Sequence, residues 1–197
     1  MAKLPNVLSI DDLPLAELCA ARIDGELMPI DDGWAPVDEP DLPSLRAAAI
    51  ALRAPRALVI ERRSAAWVHG ALTSPPAIAQ FCVPRTARVA VVSAPRLVVR
   101  EVAIDPDEII DFAFARCTTP LRTGFDLLRE PGEDDHEVES IVAALCTDDP
   151  RLVSRLRLRF DDANRMPHRG LALERLERVG AMLAREEGCG GAAVSRR

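Results

Sequence analysis

Thr118-Thr119-Pro120-Leu121-Arg122-Thr123-Gly124-Phe125-Asp126-Leu127-Leu128 reads as a strand running into a helix. Two β-branched hydroxyl residues open it, and either can cap the turn that follows. Proline then stands in the first helical turn, where its missing N–H costs nothing. Leu121, Phe125 and Leu128 recur at helical spacing and form an apolar face. Arg122 and Asp126 lie four residues apart on one face and can pair. The stretch therefore separates a β-rich half of the chain from a helical half.

Upstream of this joint the pieces are strand-like. Ile78 to Val83, Arg88 to Val92, Leu97 to Ile104 and Ile109 to Cys117 are predicted as four strands, with turn residues at hairpin spacing between them. A mostly antiparallel sheet is the expectation. Before the strands, Ser44 to Leu52 reads as a short helix, and Ala57 to Ile60 as an apolar run. Ser64 to Gly70 reads as a second short helix, with Ser64 as its cap and Gly70 as its stop.

The first 44 residues form a separate small unit in this reading, and Pro40 and Pro43 mark the linker after it. Asp11-Asp12-Leu13-Pro14 opens a helix, with acids at the positive end of its dipole. Glu26 to Ile30 and Trp34 to Val37 flank Asp31-Asp32-Gly33, a hairpin signal. Prolines at 29 and 36 confine those strands to edges. Helix then hairpin is the back half of a winged helix, here truncated.

Downstream of the joint, Glu137 to Leu145 places Val138, Ile141, Val142 and Leu145 on one face. Asp148-Asp149-Pro150 starts the next helix, Arg151 to about Phe160. Arg155-Leu156-Arg157-Leu158-Arg159 also has strand alternation, but the longer apolar spacing favours helix. A last helix follows Gly170 and runs to about Glu187, and residues 188–197 are predicted as a disordered tail. The fold class is α+β: residues 1–44 as the winged-helix-like unit, then 45–187 as sheet followed by helices.

With 197 residues, 48% of them hydrophobic, the chain can bury a real core, and with only 4% aromatics and no tyrosine that core is aliphatic. Cys19, Cys82, Cys117, Cys146 and Cys189 form no CxxC pair, so free thiols in a reducing compartment are expected. No apolar run is long enough to span a membrane, and the N-terminus lacks a secretory pattern. The expected location is the cytoplasm, with no membrane contact.

Charge is unevenly spread. Residues 1–44 carry two basic residues against ten acids, net −8, whereas residues 150–197 carry eleven arginines against six acids, net +5. An acidic head and a basic tail suggest two different surfaces.

The chain carries no GxxxxGK[ST], GxGxxG, HExxH or GxSxG pattern, and no ordinary kinase catalytic loop. Asp111-Phe112-Ala113 matches the kinase DFG triplet only by chance. Weak catalytic candidates remain. His69 closes the Trp67-Val68-His69-Gly70 segment, where a hydrogen-bonded structural role is the simpler reading. Arg122 and Asp126 could serve as phosphate clamp and acid/base, or simply as a helix ion pair. Glu133-Asp134-Asp135-His136-Glu137 has the look of a metal-ligand run, but more simply begins a helix; no metal is expected. Arg151, Arg155 and Arg159 share a helix face and are candidate partner contacts, for phosphates or an acidic surface, against a solvated face as the alternative.

Two segments in order, Ser64-Ala65-Ala66-Trp67-Val68-His69-Gly70 and Thr118-Thr119-Pro120-Leu121-Arg122-Thr123-Gly124-Phe125-Asp126-Leu127, resemble the AbiEi-type antitoxins of actinobacteria, including mycobacterial MenA-type proteins. The basic C-terminal region with His168-Arg169-Gly170 is similar to that family too. The likeness covers about residues 45–185. It implies an antitoxin encoded beside a nucleotidyltransferase toxin, with an N-terminal winged helix on operator DNA and a C-terminal part that neutralises the toxin. TakA-like members are associated with phosphorylation of a serine on the toxin, so a serine protein kinase using ATP and Mg is an implied alternative; otherwise no cofactor is expected. The acidic head departs from the pattern. Duplex DNA is bound chiefly through its phosphates, so a head of net −8 suits protein contact better than an operator.

Overall fold

The computed structural model describes residues 5–87, 95–163 and 166–194, with side chains as far as residue 185. The chain divides into two compact units, Met1–Thr119 and Pro120–Arg197. The division falls inside the strand-to-helix joint, not at residue 44 where the prolines suggest it. Residues 1–44 are built into the first unit. Gly33 shows why: a Cβ there would lie 2.6 Å from Val7 Cγ1 and 2.7 Å from Leu52 Cδ1.

The first unit begins with α1 (Leu15–Ile23), β1 (Leu27–Ile30) and β2 (Gly33–Pro36), in the predicted order. Strands β1 and β2 pair antiparallel from Leu27↔Pro36 to Ile30↔Gly33, so Asp31 and Asp32 alone make the turn. Asp31 takes the left-handed conformation, at φ +52°. The buried Arg53 clamps its carboxylate. Leu8 bridges Trp34 and brings the chain's start alongside the hairpin.

Next come α2 (Pro43–Ala51), β3 (Val59–Ile60), α3 (Arg62–Val68), β4 (Ala79–Pro84), β5 (Leu97–Val102), β6 (Ile109–Asp111) and β7 (Arg116–Thr118). The sheet order is β5-β4-β3-β7-β6. The sheet is mixed, which corrects the mostly antiparallel expectation. β3–β4 and β6–β7 are antiparallel, whereas β3–β7 and β4–β5 are parallel. Hairpin spacing misled because a parallel neighbour needs a long connection, and residues 85–96 supply one between β4 and β5. The strand expected at Arg88 to Val92 lies outside the described residues.

The single strand expected at Ile109 to Cys117 is in fact two. Phe112 and Ala115 exchange backbone hydrogen bonds of 2.8 and 3.3 Å and close a tight hairpin between β6 and β7. Helix α3 is capped at Glu61, one turn earlier than Ser64, which lies inside it. The Ser64 hydroxyl instead accepts the Gln80 N–H at 2.9 Å. Gly70 stops the helix as expected, at φ +81°. Leu45, Ile50, Ile60, Trp67, Val68 and Phe81 are buried at the centre of this unit.

The second unit is helical: α4 (Pro120–Leu128), α5 (Asp135–Thr147), α6 (Leu152–Asp162) and α7 (Arg169–Val194). The residues 151–162 choose helix over strand. Leu152, Leu156 and Phe160 point inward, while Leu158 is left 64% exposed. Helix α7 continues past Glu187 to Val194, into the expected disordered tail, although Gly188, Gly190 and Gly191 are poor helix formers. No described helix is long and apolar enough to cross a membrane.

Candidate functional site

His69 and Thr118 link segment 64–70 to segment 118–127. His69 lies just past the end of α3, and Thr118 ends β7, the strand parallel to β3. The His69 Nε2–H donates to the Thr118 carbonyl at 2.7 Å, and the Cys117 Sγ lies 3.8 Å from the same nitrogen. Burial pulls the His69 pKa below the usual histidine range, and the bond to Thr118 offsets this only in part. Burial pushes the Cys117 thiol far above its ordinary value. A neutral imidazole beside an unionised thiol is a structural tie, not a nucleophile–base pair.

An ion cluster that the sequence reading missed lies at the start of α3. Glu61 is fully buried and accepts two bonds from Arg100, Nε and Nη2, each at 2.7 Å. Arg62 Nε donates to the same carboxylate at 3.1 Å. Arg62 holds φ +45°, a conformation that side-chain-bearing residues seldom adopt. The Glu61 N–H donates to Gln80 O at 3.0 Å, and the Arg63 N–H to Gln80 Oε1 at 2.9 Å. Glu61 follows the apolar run 57–60 directly, and a charge there was the one available signal.

In the second unit Arg122 and Asp126 form the predicted pair, at 2.7 Å, and both are buried. Arg129, not anticipated, adds two more bonds to the other carboxylate oxygen, at 3.2 and 2.7 Å. Burial would raise the Asp126 pKa, but the Arg122 and Arg129 guanidiniums outweigh it and hold the carboxyl below its usual range. An acid held so firmly ionised is a poor proton acceptor at neutral pH. Phe125 stacks on Phe160 with centroids 4.9 Å apart, and the Arg159 guanidinium lies 4.1 Å from the Phe125 centroid.

The predicted arginine row thus has three different settings. Arg151 is exposed, Arg155 pairs with Asp149 at 3.1 Å, and Arg159 lies against an aromatic ring. The acidic run at 133–137 is structural. Asp134 caps α5 by accepting the Glu137 N–H at 2.9 Å. Asp135 accepts Nε and Nη2 of the buried Arg175 at 2.9 and 2.6 Å. Among the described residues, no group of three His, Cys, Asp or Glu side chains is placed to hold a metal.

A cavity of about 280 Å³ opens in the first unit. Val7, Ala48 and Leu52 line it with apolar surface, Asp11 and Asp12 bring charge, and Phe114 adds an aromatic ring. The Arg56 guanidinium lies 5.5 Å from that ring's centroid. No protein-family model and no curated protein matches the chain.

Proposed function

We propose that the protein is an antitoxin that neutralises a cognate nucleotidyltransferase toxin, by direct contact or by promoting phosphorylation of a toxin serine. The observation that carries this reading is the bond between His69 and Thr118. It joins the two segments whose ordered pair resembles the AbiEi-type antitoxins. The Asp126 environment supports binding over catalysis, since the best acid/base candidate is neutralised by two arginines. Arg151 and Arg155 are proposed contacts for acidic groups on a partner.

The reading predicts a nucleotidyltransferase encoded beside this gene, and co-expression with that product tests it: growth should recover. A kinase must bind ATP and Mg alone and still modify a toxin whose own active site is dead. A pure binder protects the toxin without nucleotide. Failure of growth rescue by the full chain contradicts the proposal.

The order α1, β1, β2 favours a second reading, a winged-helix autorepressor. The acid load of residues 1–44 opposes it. Titration of labelled promoter DNA separates the two, because a repressor shows steep salt dependence.

A further inference from the structure

Helix α1 has two apolar faces and buries only one. Leu18 is fully buried against the hairpin side, with Leu27 and Trp34 around it. Leu15, Cys19 and Ile23, spaced four apart, form a second row that faces solvent. Leu15 is 55% exposed and Ile23 84%. Ala16 and Ala20, also exposed, widen the row. Apolar residues clustered on an exposed helix face mark a contact surface.

The charges around this row define what can cover it. Asp11, Asp12, Glu17, Asp24 and Glu26 are all exposed, against one exposed cation on the helix, Arg22, three residues on from Cys19. Among the described residues none of these five is paired with an arginine, whereas Asp31, Asp32 and Asp41 of the same head are neutralised by Arg53, Arg96 and Arg46. Nucleic acid and anionic lipid are repelled by such a rim. Two copies of α1 face to face would oppose acid to acid. A protein surface that is apolar at its centre and basic at its edge fits both features. Asp11 and Asp12, which lead into α1, also line the 280 Å³ cavity.

We propose that the outer face of α1 docks into the basic substrate cleft of the toxin and so blocks it. This rests on the antitoxin reading above. An enzyme that transfers nucleotidyl groups binds a polyphosphate donor, and Arg and Lys are the side chains that pair with phosphate oxygens. The rim of α1 offers such a cleft carboxylates where the donor offers phosphates.

The test uses the full chain and the nucleotidyltransferase encoded beside its gene. Affinity is measured by fluorescence anisotropy for the natural chain, for Leu15→Ser/Ile23→Ser, for Asp11→Asn/Asp12→Asn, and for Ile78→Ser as an exposed control in the same unit. All five substitutions lie at exposed residues, and circular dichroism confirms folding. Each α1-side variant should bind about tenfold or more weakly, and the control should bind as the natural chain does. Inorganic tripolyphosphate should compete with the natural chain. Natural affinity in the Leu15→Ser/Ile23→Ser chain, or no competition by tripolyphosphate, overturns the inference. So does a dimer of the natural chain that this variant converts to monomer, since the face would then belong to a second copy. If the natural chain and the Leu15→Ser/Ile23→Ser chain rescue growth equally, the α1 inference fails and the antitoxin reading stands. If the natural chain does not rescue growth, the antitoxin reading itself fails.

Discussion

The Nε2–H of His69 donates to the Thr118 carbonyl at 2.7 Å, which ties the end of α3 to the end of β7. The strands leading into these two positions, β3 and β7, are parallel neighbours in register Val59↔Arg116 and Ile60↔Cys117. One side chain thus ties segment 64–70 to segment 118–127. Replacing it by Ala leaves a buried carbonyl short of a donor and a cavity beside Cys117. His69→Ala should cost about 2 kcal/mol of stability, and His69→Gln, which keeps an N–H, about half that. Urea unfolding of the two variants measures both.

The same histidine makes stability depend on pH. Its folded pKa is lowered by burial, so the unfolded chain takes up the proton first as pH falls. Stability should decline as pH drops below about 6.5, the ordinary histidine value, until the folded value is reached. The His69→Gln chain should lose that slope between pH 5 and 7. Asp126 acts in a separate window. Its folded pKa lies below the usual carboxylate value, so its contribution is present above about pH 4 and is lost as pH falls through the folded value.

Asp126→Asn takes from the buried Arg122 the carboxylate it pairs with at 2.7 Å, and takes the same carboxylate from Arg129. Breaking a buried pair from one side costs about 3–5 kcal/mol. Arg129→Ala should cost far less, because the Arg122 bond survives. A thermal melt in parallel with any activity assay keeps this loss of fold distinct from loss of a catalytic group.

The joint at 118–128 was legible because its signals are local. Proline, two hydroxyl residues and a leucine–phenylalanine row all act within one helix. The Arg122–Asp126 pair was legible for the same reason. Arg129 three residues on was equally local and was overlooked. Other features depend on contacts far apart in sequence. Glu61 and Arg100 are 39 residues apart, and nothing in either neighbourhood announces the other. The β6–β7 turn, Phe112-Ala113-Phe114-Ala115, contains no glycine, proline or asparagine, so alternation ran straight through it. The prolines at 40 and 43 look like a linker in sequence, while the close fit of Gly33 against Val7 and Leu52 is a tertiary fact.

Gly33 and Arg175 probe the two units separately. A Cβ at Gly33 would also meet Leu8 O at 3.0 Å, a backbone atom that yields poorly, so Gly33→Ala should cost about 1–3 kcal/mol. Arg175 donates to the carbonyls of Leu128, Glu130 and Glu133 at 3.1, 2.8 and 3.0 Å, as well as to Asp135. It pins the connection between α4 and α5. A lysine cannot reproduce that planar fork, so Arg175→Lys should destabilise nearly as much as Arg175→Met. Denaturant midpoints of each variant check both expectations.

Calorimetric titration of the purified chain into the proposed partner, a nucleotidyltransferase toxin, with no nucleotide present, tests docking most directly. The account predicts a saturable complex, weakened by salt, that suppresses nucleotidyl transfer. Absence of binding, together with ATP turnover by the chain alone, would contradict it.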